Sequence, residues 1–252
     1  MRPGGVAALA ASKAAFAVLL GSLPGAALHE RPGVRWVDTG VADSVFNGRY
    51  EGGTESVGPV LDHFRARRLP LHWEVGLGAG RAEDLVRHGL RHVEDEPGMW
   101  LDLDRPLPDA PAVPGLSIRP VVDAAGVRDW VDVWGCGGPP ETTERWHGVY
   151  SALPFGPTGP LRMVVGYLDG RPAATAYAFL AGGVAAVHYV VTLPEWRGRG
   201  IGTAMTAAAL REAAGCRVAV LTASPSGIGV YRRLGFRECC VVSTYEWLPE
   251  LT

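Results

Sequence analysis

Trp196-Arg197-Gly198-Arg199-Gly200-Ile201-Gly202-Thr203 follows an apolar run, Val184 to Thr192, and precedes an alanine-rich stretch with helical patterning, Ala204 to Ala214. The order reads as strand, glycine-rich turn, helix. Such a turn leaves several backbone N–H groups unpaired at a helix N-terminus and aims them at one point, where the helix dipole adds partial positive charge. Phosphate is the natural ligand of that point. Gly200 and Gly202 let a phosphate reach the main chain with no Cβ in the way, and Arg197 and Arg199 add charge. The bland alternative is a surface loop that caps a helix.

Two familiar phosphate patterns fail on spacing. The Walker loop ends in Gly-Lys-Ser/Thr, which this stretch lacks, and Gly198, Gly200 and Gly202 do not make the dinucleotide fingerprint G-x-G-x-x-G. What remains is Arg-x-x-Gly-x-Gly at Arg197, Gly200 and Gly202, preceded by Leu193-Pro194-Glu195-Trp196. Downstream, the apolar strand Val218-Ala219-Val220-Leu221 leads to Ser224, then Tyr231, then Leu234-Gly235-Phe236. These two motifs, in this order, resemble the cofactor segments of the GNAT acyltransferase superfamily. There the first is the acetyl-CoA pyrophosphate loop. In the second, a strand is followed by an Asn or Ser that contacts the cofactor, a Tyr seven residues on, and Leu-Gly-Phe.

The chain has 252 residues, enough for one large domain or two small ones, and its 47% hydrophobic and 20% charged residues are globular values. A net charge of −2 gives no global attraction to nucleic acid or anionic lipid. Cys136, Cys216, Cys239 and Cys240 form neither a disulfide framework nor a zinc spacing, so no metal is expected and a cytoplasmic location is. The apolar run Val6–Leu20 follows Arg2 as a signal peptide would, but Ser12 and Lys13 interrupt it and it is too short to span a bilayer. Leu9, Phe16 and Leu20 share one side at helical spacing, which predicts a core helix.

The prolines and glycine of Pro106–Gly115 read as a stiff linker. It divides the chain into residues 1–112 and 113–252. The C-terminal part reads as a strand at 116–121, helices near 124–133 and 141–153, strands at 161–168, 171–180 and 184–192, then the phosphate loop, a helix, a strand, the Tyr231 helix and a last strand at 236–247. In the N-terminal part, Leu71–Val75 precedes Gly76, Gly78 and Gly80 and a short helix, Arg81–His88, with a closing strand at Met99–Leu103. This reads as a degenerate copy of the same unit; the alternative is an unrelated α+β cap. The resemblance therefore implies an α+β fold of tandem GNAT-like domains, each a mostly antiparallel mixed sheet with flanking helices, and only the second holding cofactor.

Acyl transfer from a thioester to an amine requires a held cofactor, a polarised carbonyl, a deprotonated amine and a protonated leaving thiolate. The resemblance assigns the first two to main chain. Val190, Val191 and Thr192 would pair with the pantetheine arm of acetyl-CoA and supply one N–H to the thioester oxygen. The N–H groups of Gly198, Arg199, Gly200, Ile201, Gly202 and Thr203 would take the pyrophosphate, with Arg197 and Ser224 beside it. Tyr231 is the candidate general acid, since a phenol with pKa near 10 carries its proton at neutral pH; the alternative is a Tyr that only packs. His188, two residues before Val190 and so expected on its face, is the candidate base; the alternative is a structural histidine. His147, Glu141 and Glu144 are weaker candidates. Trp130, Trp134, Trp146, Tyr150 and Phe155, with Phe46 and Asn47 from the other half, are candidates to line an acceptor pocket between the domains.

The leading reading is an acetyl-CoA-dependent N-acetyltransferase acting on a small-molecule amine, with no nucleic-acid or membrane partner and an open oligomeric state. The alternatives are a protein or peptide N-acetyltransferase, an enzyme resembling mycothiol synthase, and a non-catalytic CoA-sensing module.

Overall fold

Helix α1 (Gly5–Leu20) buries Ala8, Leu9 and Leu20, with Phe16 half-buried, as its apolar spacing predicts. In this computed structural model, which describes residues 4–76, 81–108, 110 and 112–250, no described helix is long and apolar enough to cross a membrane. The chain forms two units, one running to Gly98 and resuming at Cys239, the other Met99–Glu238.

In the first unit, β1 (Ala27–Arg31), β2 (Val34–Asp38) and β3 (Gly48–Gly52) form an antiparallel meander. Helix α2 (Val57–Arg67) then crosses over to β4 (Leu71–Val75), which meets β3 in parallel at Gly48 and His72. Helix α3 (Ala82–Arg87) and strand β5 (Arg91–Asp102) follow. Trp36, Trp73, Phe64 and Leu61 centre this unit's core. A crossover helix between parallel strands is what a strand-loop-helix-strand repeat requires. Residues 184–222, with two parallel strands about a helix, therefore correspond in form to β3–α2–β4, one strand earlier than the comparison built on Leu71–His88. Gly78 and Gly80, on which it relied, lie outside the described residues. In the β3–α2 connection, Gly52 and Gly53 precede Glu55, whose carboxylate folds against Gly53, so this loop carries a negative charge where the other carries arginines.

The second unit continues with β6 (Leu116–Pro120), α4 (Ala124–Trp134), α5 (Pro140–Ala152), β7 (Leu161–Leu168), β8 (Arg171–Ala181), β9 (Val184–Thr192), α6 (Ile201–Arg211), β10 (Val218–Thr222), α7 (Ile228–Arg233) and the start of β11 (Arg237–Trp247). Strands β6 to β9 are antiparallel neighbours in chain order. Two hairpins turn on residue pairs with positive φ, Asp169-Gly170 and Gly182-Gly183, the backbone that matches strand twist in a two-residue loop. The prolines of Pro106–Gly115 fall inside this unit, because Leu107 and Val113 pack against its core; Pro111 lies outside the described residues. The last strand crosses back: its C-terminal part pairs antiparallel with β4 in the first unit.

Small side chains bring α6 close to the sheet. Ala174, Ala176, Ala178 and Ala185 are fully buried on the face that Met205, Ala209 and Ile201 cover. A Cβ added to Gly166 would stand 2.7 Å from the Met205 sulfur. Met205→Ala leaves a cavity there and is expected to cost about 2–5 kcal/mol of unfolding free energy, measured by urea denaturation.

Candidate active site

The second unit places its site where β9 loses a neighbour. The parallel ladder between β9 and β10 joins Val184 to Val218, Ala185 to Ala219 and Ala186 to Val220, and stops. Strand β9 itself runs on to Thr192, past the last of these pairs. Leu193 N–H donates to Ala173 O at 2.9 Å. Alternation along an antiparallel strand then turns the Val191 main chain toward β8 and the Thr192 N–H away from it, into the opening.

A bulge sits at the mouth of this opening. The β8–β9 register shifts between Thr175 and Tyr177, and Tyr189 takes φ 49°, a left-handed conformation that non-glycine residues adopt rarely. The buried Thr175 hydroxyl donates to Tyr189 O at 2.9 Å, and Trp130 Nε1 donates to Ala176 O at 3.1 Å, so the polar groups that the irregularity releases are taken up. The bulge also breaks the expected shared face of His188 and Val190, because one extra residue resets the two-residue alternation. Val190 packs against the α6-side core with Tyr231. His188 faces the other side, its ring 5.3 Å from that of its cross-strand neighbour Tyr177.

The glycine loop closes the far end of β9. Pro194–Trp196 form one 3-10 turn. Arg197 Nε donates to Thr192 O at 2.9 Å, and the Arg199 guanidinium lies 4.9 Å from the Trp196 ring centre. Gly198 and Gly200 have φ 77° and 82°. Gly200 is the N-cap of α6 and offers no side-chain cap. The first intrahelical bond is Ala204 N–H to Gly200 O, so the N–H groups of Ile201, Gly202 and Thr203 precede the helical ladder. A Cβ at Gly202 would meet only Val230 Cγ2, at 3.9 Å. That contact brings α7 beside the loop, one residue before Tyr231.

Tyr231 is 8% exposed, with its ring edge-on to Phe236 at 5.9 Å. Ser224 O accepts from Gly227 and Ile228 at the start of α7, and Ser224 Oγ is 3.2 Å from Ser226 Oγ. Tyr231 and His188 thus belong to opposite faces of the sheet.

On the His188 face, α4 and α5 carry an aromatic cluster contained wholly within this unit. Trp134 stacks on Trp146 at 3.6 Å and approaches Tyr189 at 4.3 Å. Trp130 meets Tyr150 at 5.0 Å. Burial, then the neighbouring Tyr189 and Tyr177, push the Tyr150 pKa well above the usual phenol value, and burial does the same for Tyr177. These groups stay protonated at any working pH. Tyr177, Tyr189 and Thr175 have no sequence signal, because a bulge depends on its partner strand. Phe155 pairs with Leu161 in an isolated bridge. Glu144 is held by Arg128 at 2.7 and 3.1 Å, His147 Nε2 lies 3.4 Å from Ser151 Oγ, and Glu141 is exposed. In the first unit Phe46 is fully buried, and Asn47 is engaged by Thr39, Val41 and Asp43.

Residues 160–238 match the family described as the acetyltransferase (GNAT) domain. No curated protein sequence matches the chain. Among solved structures, a GCN5-related N-acetyltransferase from Kribbella flavida is 23% identical over 95% of each chain, with a TM-score of 0.70. A GCN5-related N-acetyltransferase from Sphaerobacter thermophilus is 17% identical, covering 97% of this chain and 93% of its own, with a TM-score of 0.60. A tandem GNAT protein from the clavulanic acid biosynthesis pathway is 16% identical, covering 95% and 88%, with a TM-score of 0.59. At these identities the likeness is one of fold, the mixed α+β architecture described above.

Proposed function

We propose that this enzyme, whose residues 160–238 match the acetyltransferase (GNAT) domain of a family that uses acetyl-CoA, transfers the acetyl group of acetyl-CoA directly to a small-molecule amine, and that the second unit does so alone. The observation that carries the reading is the end of the β9–β10 ladder at Ala186 and Val220, with, farther along the chain, a glycine-lined helix N-terminus that has no side-chain cap. The residues fit the cofactor. Val190 and Thr192 offer main-chain groups to an extended amide-bearing arm. Gly198–Thr203 offer N–H groups to a pyrophosphate, Arg197 and Arg199 bring charge, and Ser224 lies before α7. When bound, acetyl-CoA supplies an activated acyl thioester.

The chain's own groups divide the remaining work. One N–H among Val190, Val191 and Thr192 serves as the single donor to the acyl oxygen. The Tyr231 hydroxyl holds the proton that the leaving sulfur needs. The His188 imidazole removes the proton of the attacking ammonium, directly or through water. Trp134, Trp146 and Tyr189 line the side from which the amine approaches. A carboxylate-bearing loop between β3 and α2 makes the first unit a scaffold without cofactor.

Release of free CoA thiol in the presence of a panel of small amines and peptides tests the reading. Release with small amines is expected. Release with peptides alone overturns the substrate class, and release with neither overturns the transfer. His188→Ala is expected to lower kcat by about 10²–10⁴-fold and to remove one ionisation from the pH–rate profile, with acetyl-CoA affinity unchanged. An unaltered profile assigns His188 a structural role.

A further inference from the structure

The first unit contains a cluster with no part in acyl transfer. Its members come from three elements: His29 on β1, Asp38 at the end of β2 and His63 on α2. Strand register sets His29 opposite Trp36, and the two rings stack at 5.0 Å and 11°. His63 stands edge-on to Trp36 at 5.6 Å and to Phe64 at 5.2 Å, and its ring centre is 4.5 Å from that of His29. The Asp38 side chain is only 3% exposed. Its Oδ1 accepts from Gly40 N–H at 2.8 Å, while Oδ2 lies 2.6 Å from His63 Nε2. One ring nitrogen from each histidine and one carboxylate oxygen all lie within 4.8 Å of one another. A cavity of about 280 Å³ opens beside His29, lined also by Tyr50 and by Arg35 with its partners Glu30 and Glu51.

Two features separate this cluster from an ordinary ion pair. The first is the second imidazole: the Asp38–His63 contact does not require His29, yet a ring nitrogen of His29 lies within 4.8 Å of both partners. The second is the identity of the counter-charge. Arg67 Nε lies 2.7 Å from Asp38 Oδ2, yet the arginine side chain is 49% exposed, so it can swing into water and leave the carboxylate to another cation. Trp36 fixes the ring plane of His29, and Gly40 N–H fixes the carboxylate, the kind of outer support that metal ligands carry.

We propose that His29, Asp38 and His63 form a three-ligand site for a divalent transition-metal cation of the zinc type, with Arg67 as the counter-cation that the metal displaces. Two imidazole nitrogens and one carboxylate suit zinc, cobalt or nickel; calcium and magnesium take oxygen-only sets. Ligand atoms on one tetrahedral zinc stand roughly 3.3 Å apart, so the 2.6 Å contact between His63 and Asp38 opens on binding. His63 has room to do so, since its side chain is 22% exposed at the helix surface. Three protein ligands leave a fourth position for water. Residues 29, 38 and 63 show no metal spacing in the sequence because the sheet and the α2 crossover bring them together.

The test uses the full chain, freed of any affinity tag and stripped with a chelator, titrated with Zn²⁺ by calorimetry and with Co²⁺ by visible absorption. One equivalent per chain with a rise in melting temperature is expected, since a ligand that binds only the native state stabilises it. His29→Gln and His63→Gln are each expected to weaken binding by more than the roughly 10–100-fold that loss of an outer partner costs, with the far-ultraviolet circular dichroism unchanged. Arg67→Ala is expected to tighten binding up to about fivefold by removing the competitor. Cys239→Ser/Cys240→Ser is expected to bind normally. The proposal is overturned by absence of saturable one-to-one binding, by affinity unchanged in the His29→Gln/His63→Gln double variant, or by loss of binding in the cysteine variant instead. Acetyl transfer is assayed separately, and its failure leaves this site untouched.

Discussion

Gly200→Val is expected to abolish measurable acetyl-CoA binding while leaving the protein folded. Gly200 is the N-cap of α6 at φ 82° and ψ 1°. Valine there meets two penalties. Its branched Cβ is strained in the left-handed region by about 1–2 kcal/mol, and it stands where a phosphate must approach the main chain. Losing several hydrogen bonds to a charged group, each about 1.5–3 kcal/mol, lowers affinity by orders of magnitude. The fold survives because the loop is largely exposed and α6 is held by Ile201, Met205 and Ala209 in the core. Calorimetric titration of wild-type protein should give one equivalent of acetyl-CoA per chain, and the variant should give no heat, with an unchanged circular dichroism spectrum. Normal titration of Gly200→Val rules this loop out as the phosphate site, and two equivalents in the wild type would falsify the reading of the first unit as cofactor-free.

Tyr231→Phe is expected to slow the acyl step by about 10²–10⁴-fold, the usual worth of a positioned acid, with little change in acetyl-CoA affinity. The substitution keeps the ring, its edge contact with Phe236 and its place in the α6-side core, and removes only the hydroxyl. Single-turnover kinetics separates this from a packing effect, which would appear in the melting temperature and in KM. Turnover at the wild-type rate on a true acceptor assigns proton delivery to another group. The same variant also tells an enzyme from a sensor, since a sensor binds cofactor equally well in both forms and transfers to no amine.

Local chemistry made much of the second unit legible in the sequence. The ranges read for strands β7 and β9, 161–168 and 184–192, coincide with those observed, because an Asp-Gly and a Gly-Gly pair, both at positive φ, punctuate apolar runs there. The helix after the glycine-rich loop begins at Ile201, directly after Gly200, three residues ahead of the alanine-rich pattern that marked it. A helix starts at its cap; its apolar periodicity starts where the sheet first needs covering. The first unit was less legible. Its repeat was read one strand late, since Leu71–Val75 has a stronger apolar signal than Gly48–Gly52, and only pairing reveals that the latter is the parallel partner.

The sequence by itself determined the glycine-rich loop before α6, the order of elements around it, and the presence of Tyr231 on a short helix after β10. Each of these is set by residues near one another in the chain, through φ preferences, capping and periodicity. Only the tertiary structure decided the bulge at Tyr189, the face on which His188 lies, the service of Thr175 and Trp130 to the released backbone groups, and the meeting of His29, Asp38 and His63. It also decided that the chain crosses between units at residues 98–99 and 238–239 and not at the proline-rich segment. The reason is common to all of them: a strand's register and the exposure of its edge belong to a pair of strands, and the partner lies elsewhere in the sequence.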